Sequence, residues 1–170
     1  KTSTPTLLSG MIWQEFLKTD QRRRFMPCPY CGKFVTLIWS RQYSIFKSTG
    51  EEAVAKWDDT AKRDDGTWDL DRVERSARYE CPHCAGHIRD AHKTVMDRRG
   101  DWRPSTTAAR GYRGWHLSSL YSASAEANVG KLAVKFLQAK NSLMGLQGFI
   151  NGDLAEPYQA QDKARDQSIH

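Results

Sequence analysis

At 170 residues and 39% hydrophobic content, the chain suits one domain, or one small domain with appendages, whose modest core needs support besides apolar burial. Its formal charge of +6 arises from 26 Lys and Arg set among acidic residues, which permits contact with nucleic acid or another acidic partner without establishing it. No run approaches the roughly 20 apolar residues of a membrane span and no secretory leader opens the sequence, so no membrane partner and a cytoplasmic setting are expected.

The chain opens on Lys1 without an initiator Met, and Ser3-Thr4-Pro5-Thr6 follows, as in a piece of something longer. From Met11 to Lys18, Ile12, Trp13, Phe16 and Leu17 recur at helical spacing, with Ser9 or Gly10 at the start. The basic run Arg22, Arg23 and Arg24 is a candidate phosphate contact, although three basic residues in a row are more often a solvated face. Phe34 to Trp39 is rich in β-branched and aromatic residues, and Ser76 to Glu80 supplies a partner strand. Between them Asp64-Asp65-Gly66 reads as a turn, and Asp69 caps a short helix carrying Leu70, Val73 and Ala77. Trp57 and Trp68 are read as anchors for this stretch, with platforms for nucleic-acid bases as the alternative.

Farther on, Asp90 is expected to N-cap a helix that ends at Arg99 before Gly100. Trp102 and the Tyr112–Tyr121 stretch, with Trp115, Leu117 and Leu120, read as extended core segments. Val129, Leu132, Ala133, Phe136 and Leu137 form one helical stripe. Ser142 caps a second helix carrying Leu143, Leu146, Phe149 and Ile150. From Gln159 the sequence turns polar, as in a linker.

All four cysteines fall into two CPxC pairs, Cys28/Cys31 and Cys81/Cys84, which is the arrangement that a tetrahedral thiolate site requires. Disulfides, a redox dithiol and an iron–sulfur site compete with zinc. A cytoplasmic chain holds disulfides poorly, and a redox CxxC needs no second copy. His83, His87 and His92 lie near enough in sequence to replace a ligand, but four thiolates already complete a tetrahedron. Such a closed site holds structure and leaves no position for substrate. Gly32 or Gly86 is expected to supply the positive φ that closes each knuckle. The fold class read from this pattern is α+β: a zinc ribbon of two CPxC knuckles on short β-hairpins, flanked by short α-helices. Cys31 and Cys81 stand 49 residues apart, so the ribbon carries an insertion at about 40–76.

The ordered phrases Ser3-Thr4-Pro5-Thr6, Asp20-Gln21-Arg22-Arg23, Pro27-Cys28-Pro29-Tyr30-Cys31-Gly32 and Arg78-Tyr79-Glu80-Cys81-Pro82-His83-Cys84 continue into three more. These are Gly114-Trp115-His116-Leu117-Ser118-Ser119-Leu120-Tyr121, Phe149-Ile150-Asn151 and Glu156-Pro157-Tyr158. In this order they resemble the large terminase subunit of lambda-like tailed phages, the GpA family. The resemblance implies a parent with an N-terminal ATPase that drives DNA translocation and a C-terminal metal-dependent nuclease, working in the host cell cytoplasm. It implies ATP and Mg²⁺ in that parent alone, and as partners double-stranded DNA, the ATPase and nuclease domains of the same polypeptide, the small terminase subunit and the portal.

On this reading residues 1–24 are the end of the ATPase-like region and a connecting helix, and 25–100 are the zinc ribbon. Residues 101–158 lead to the nuclease and 159–170 are a polar linker. Ser3 and Thr4 resemble the motif that couples hydrolysis to movement. The sequence has no GxxxxGK[ST] loop, and the nuclease carboxylates are expected beyond residue 170, so this chain alone is read as non-catalytic. Two other readings stand beside the connector: a stand-alone zinc-ribbon DNA-binding module, and a nuclease fragment using Asp153 and Glu156 with magnesium.

Overall fold

The computed structural model describes residues 1–108 and 111–159, so the polar stretch after Gln159 lies outside the described residues. Its mixed α/β architecture has a seven-stranded sheet and five α-helices. Helix α1 (Met11–Leu17) buries Trp13, whose ring meets Phe16 at 5.2 Å and Phe46 at 6.0 Å. Thr19 ends the helix by donating to the Phe16 carbonyl, and Gln21, at φ 49°, turns the chain into strand β1 (Arg22–Pro27).

Strand β1 pairs antiparallel with β2 (Phe34–Ile38), and the first CPxC knuckle is the turn between them. Strand β4 (Arg78–Glu80) pairs antiparallel with β5 (His87–Ile88) around the second knuckle. The two hairpins do not pair directly with each other. Strand β3 (Glu52–Lys56) lies between them, parallel to β2 and antiparallel to β4. The insertion is therefore a structural part of the sheet. Its strand escapes a sequence reading because Glu52-Ala53-Val54-Ala55-Lys56 is poor in β-branched residues and opens on a charge. That charge has a local use: the buried Glu52 carboxylate accepts from the Thr49 and Gly50 N–H groups and from the Ser48 and Thr49 hydroxyls, closing the turn before β3.

Helix α2 (Leu70–Ser76) starts as the sequence predicts, with the Asp69 carboxylate accepting from the Arg72 N–H at 3.0 Å. It packs against α4 (Val129–Ala139), where a Cβ on Gly130 would come within 2.4 Å of the Glu74 carbonyl. Helix α5 (Leu143–Gly152) follows, capped by Ser142. Phe136 of α4 and Phe149 of α5 meet Trp39 at 5.3 and 5.0 Å, and Trp57 joins this cluster from the insertion, which places both helices over the sheet core. Strands β6 (Asp101–Arg103) and β7 (Trp115–His116) both pair with β1, antiparallel and parallel respectively.

Three local expectations are corrected. Helix α3 (Asp90–Arg98) begins on Asp90 and is N-capped by Arg89; the Asp90 carboxylate instead pairs with buried Lys93 at 2.7 Å and accepts from the Val129 N–H at 3.1 Å. Trp115 and Leu117 are not core: they are 56% and 55% exposed, because β7 turns only His116 inward. Leu143, at the first turn of α5, is 68% exposed, since the core-facing stripe of that helix runs through Leu146, Phe149 and Ile150.

Candidate metal centre

The two knuckles repeat one backbone design. In the first, the Cys28 N–H donates to the Lys33 carbonyl and the Gly32 N–H to the Cys28 carbonyl; in the second, Cys81 donates to Gly86 and Ala85 to Cys81. The closing residue of each takes a left-handed conformation, Gly32 at φ 73° and Ala85 at φ 56°. Ala85 therefore holds the position expected of Gly86. Gly86 serves another purpose: a Cβ there would come within 2.5 Å of the Tyr30 ring, which lies across the second knuckle and donates its hydroxyl to the His87 carbonyl at 2.9 Å.

This arrangement brings all four sulfurs within 4.8 Å of one another. Cys28 Sγ lies 3.8 Å from Cys84 Sγ, and Cys31 Sγ lies 3.9 Å from Cys81 Sγ. A tetrahedral zinc with Zn–S bonds of about 2.3 Å sets its sulfurs about 3.8 Å apart, so the cluster is compatible with a zinc site. None of the four is in a disulfide. Cys28 and Cys81 are buried and Cys31 and Cys84 are exposed, so the centre sits half in the core and half at the surface. Burial pushes the Cys28 thiol up to about 12, while the Lys33 N–H holds Cys31 below the usual thiol range. A buried thiol of this kind becomes a thiolate when a cation faces it.

Among the described residues no histidine joins this sulfur cluster. His92 accepts the Arg89 N–H through Nδ1 and stacks its ring edge on Tyr30 at 5.6 Å; His87 receives Tyr30 through its carbonyl. Tyr30, His87 and His92 thus stitch the first knuckle to the second.

The Arg22–Arg24 run is not a solvated face. Arg22 pairs with Asp20 at 2.8 Å and Arg24 with Asp97 at 2.9 Å. Arg23 is 9% exposed, with its guanidinium 3.7 Å from the centre of the Phe46 ring. Strand alternation explains the pattern: Arg23 points to the opposite face from its neighbours. Ser3 and Thr4 are exposed beside buried Pro5. Asp153 pairs with Lys135 at 2.7 Å, whereas Glu156 is buried and accepts the Ile45 N–H at 2.7 Å. The two acids do not converge, and among the described residues the four cysteines are the cluster able to hold a metal.

Residues 1–102 match the family described as "Phage terminase large subunit gpA, ATPase domain", and residues 112–169 match "Terminase large subunit gpA, endonuclease domain". The chain belongs to the phage terminase large subunit gpA family. No curated protein and no solved structure matches it. In this gpA chain the two matched stretches share one sheet and one core, since β1 pairs with β7 and Tyr121 donates its hydroxyl to the Arg24 carbonyl while accepting the Leu37 N–H. Among the described residues, no helix is long and apolar enough to cross a membrane.

The sequence reading missed the junction at the far end of β1. There Arg23, Phe46, His116 and Glu156 meet. Burial raises the Glu156 carboxyl to about 7 and, with Arg23 nearby, lowers His116 to about 4. The signal was present only as the phrase Glu156-Pro157-Tyr158, whose chemistry depends on a partner 111 residues away.

Proposed function

We propose that this chain is the zinc-ribbon connector of a packaging terminase large subunit, holding one structural zinc on Cys28, Cys31, Cys81 and Cys84. The observation that carries the proposal is the fit of four sulfurs from two matched knuckles to one tetrahedron. When bound, the ion supplies a closed cross-link with no open coordination position. The chain's own residues do the rest: Tyr30 and His92 lock the knuckles together, and β3 ties both hairpins into one sheet.

The connector reading assigns residues 1–24 to the end of the ATPase-like region, 25–100 to the ribbon and 101–158 to the lead into the nuclease. It makes a rigid body suited to keeping two enzyme domains in register. Pairing of Leu7 with Tyr158, and donation from the Tyr158 N–H to the Thr6 carbonyl, supports it by fixing the two outer segments side by side. Ser3 and Thr4, exposed next to that contact, are assigned the coupling role. The formal +6 charge, about +4 once four thiolates and one zinc are counted, supports contact with the DNA being packaged. Arg22 and Arg24 meet phosphate in this scheme only by leaving Asp20 and Asp97, and the stand-alone DNA-binding module has only the net charge behind it.

Metal analysis of the purified chain tests the core of this reading. Stoichiometric zinc is expected, together with loss of amide protection around both knuckles in chelator. A metal-free chain that keeps this protection removes the proposal.

A further inference from the structure

Charge is unevenly shared along the chain. Residues 51–80 hold ten acidic and six basic side chains, so this stretch is net −4 while the rest of the sequence is net +10. The sheet keeps the two apart: β3 and β4 belong to the acidic stretch, and β6 ends the strand order on the other side. We infer that this β6 edge lies along the phosphate backbone of duplex DNA, with Arg98, Arg99 and Arg113 as the contacting side chains. The inference deepens the connector reading by naming the face that meets DNA.

Ion pairs hold the edge together and leave cations over. Arg22 pairs with Asp20 at 2.8 Å, Arg24 with Asp97 at 2.9 Å and Arg103 with Asp101 at 2.9 Å, while Lys1 and Lys18 share Glu15. Each of these acids is thereby neutralised. Arg98, Arg99 and Arg113 are exposed and, among the described residues, have no acidic partner. The metal centre, net −2 when four thiolates hold one zinc, lies at the C-terminal end of β1 beside Lys33, which is therefore left out of this count.

The paired arginines fix where the free ones stand. Arg24 donates Nη2 to the Asp97 carbonyl at 2.6 Å, and a Cβ on Gly100 would come within 3.2 Å of its guanidinium, so the turn carrying Arg98 and Arg99 is held beside β1. The Asp20 N–H donates to the Tyr112 carbonyl and the Arg22 N–H to the Gly114 carbonyl, which sets Arg113 alongside the start of β1, where Arg22 and Arg113 line one cleft. From Asp20 to Arg24 the chain covers roughly 13 Å at about 3.3 Å per residue. A DNA strand carries one phosphate for about every 3.4 Å of helix axis, so the row spans several.

The same edge is poorly suited to an acidic protein. Its aromatic rings are already capped by guanidinium groups, Trp102 by Arg24 at 5.6 Å, and Phe25 and Phe34 by Arg103 at 4.8 and 4.2 Å. Protein interfaces centre on uncovered aromatic anchors with charge depleted around them. Strand β6 is three residues long and carries Asp101 and Arg103 at its ends, which discourages addition of a peptide strand. All three free cations are arginines, whose planar fork matches phosphate oxygens.

The test uses the zinc-loaded chain and a fluorescein-labelled mixed-sequence duplex of about 30 base pairs, with binding read by anisotropy from about 50 to 200 mM salt. The triple change Arg98→Gln, Arg99→Gln and Arg113→Gln is expected to weaken binding at least tenfold at the lowest salt and to make the salt slope shallower by about 2.7, or about 0.9 for each phosphate contact removed. Lys62→Gln, Arg63→Gln and Lys140→Gln together remove the same charge from exposed positions elsewhere and are expected to keep the parent slope. Zinc content and thermal melting confirm the fold of both variants. Should the edge variant lose zinc, Arg99→Gln alone replaces it, with a slope shallower by about 0.9. Four results overturn the inference: no binding at the lowest salt, an unchanged slope in the edge variant, equal losses in the two triple variants, or displacement of the duplex by polyglutamate at equal charge. The last of these instead marks an acidic protein as the occupant. Zinc stoichiometry of the parent chain decides the connector reading separately in every case.

Discussion

Strand β1 ends in two different chemistries. At its C-terminal end the chain turns through Cys28 and Cys31, where four sulfurs from two hairpins face one another and half of them reach the surface. At its N-terminal end Arg23 leads into a junction where Phe46, His116 and Glu156 pack together and the chain satisfies itself. The cysteine end has a buried apolar base of Met26, Val35 and Ile88, and the four sulfurs above it form a cluster compatible with a metal ion. The other end closes by burying charge and aromatic area, and titration is the consequence. One strand thus leads at one end to a sulfur cluster compatible with a metal ion and is fixed at the other by packing.

The largest effect should come from breaking the cysteine end. Chelation, or Cys81→Ser, is expected to remove a binding free energy on the order of 10–16 kcal/mol from this region. Hydrogen exchange by mass spectrometry should then show β4, β5 and the turn after β1 losing protection, while α1 keeps more of it. If both ends open together, the two regions are one cooperative unit.

Breaking the packed end is the reciprocal experiment. Phe46→Ala uncovers Arg23 and removes the ring between Trp13 and His116, and is expected to cost about 3 kcal/mol in denaturant unfolding. Zinc stoichiometry should not change. Loss of metal in this variant would show that the ends depend on each other.

The pH dependence sharpens the contrast further. Between pH 4.5 and 6.5 folded Glu156, at about 7, keeps a proton that the unfolded chain releases, so its contribution to stability falls as pH rises. Folded His116, at about 4, lacks a proton that the unfolded chain binds, so its contribution rises with pH over the same window. Each slope is about 1.4 kcal/mol per pH unit, and the two oppose each other. Stability of the parent chain should therefore vary little with these groups from pH 4.5 to 6.5. Glu156→Gln should leave a curve that rises with pH, and His116→Gln one that falls. Thermal unfolding across this range checks the signs, and parallel curves for all three proteins would refute the assignment.

The smallest effect is a control that touches neither end. Asp69→Ala removes the cap of α2 and is expected to cost about 1 kcal/mol, read as a lowered melting temperature with unchanged metal content and unchanged pH slope.

Where the relevant contacts are local, the residues themselves were enough. The Met11 helix, the Asp64–Gly66 turn, the Asp69 and Ser142 caps and the stripe from Val129 to Leu137 all form where spacing and cap chemistry place them. Those features depend on neighbours three or four positions away. Strand β3 was not legible, because its alanines gain their place only from β2 and β4 on either side. Nor was the fate of the arginine run: nothing in Arg22-Arg23-Arg24 says that Asp20, Phe46 and Asp97 will each take one member.

The sequence by itself determined the pairing of the four cysteines into two knuckles, because a CxxC turn is built from adjacent residues and its geometry travels with it. It also carried the family through short phrases in fixed order. Only the tertiary structure decided that the 49-residue interval contributes a central strand, that Ala85 and not Gly86 takes the left-handed turn, and that Glu156 meets Ile45 and Arg23. The physical reason is the same in each case: burial and electrostatic environment belong to neighbours in space, and these neighbours are far apart along the chain.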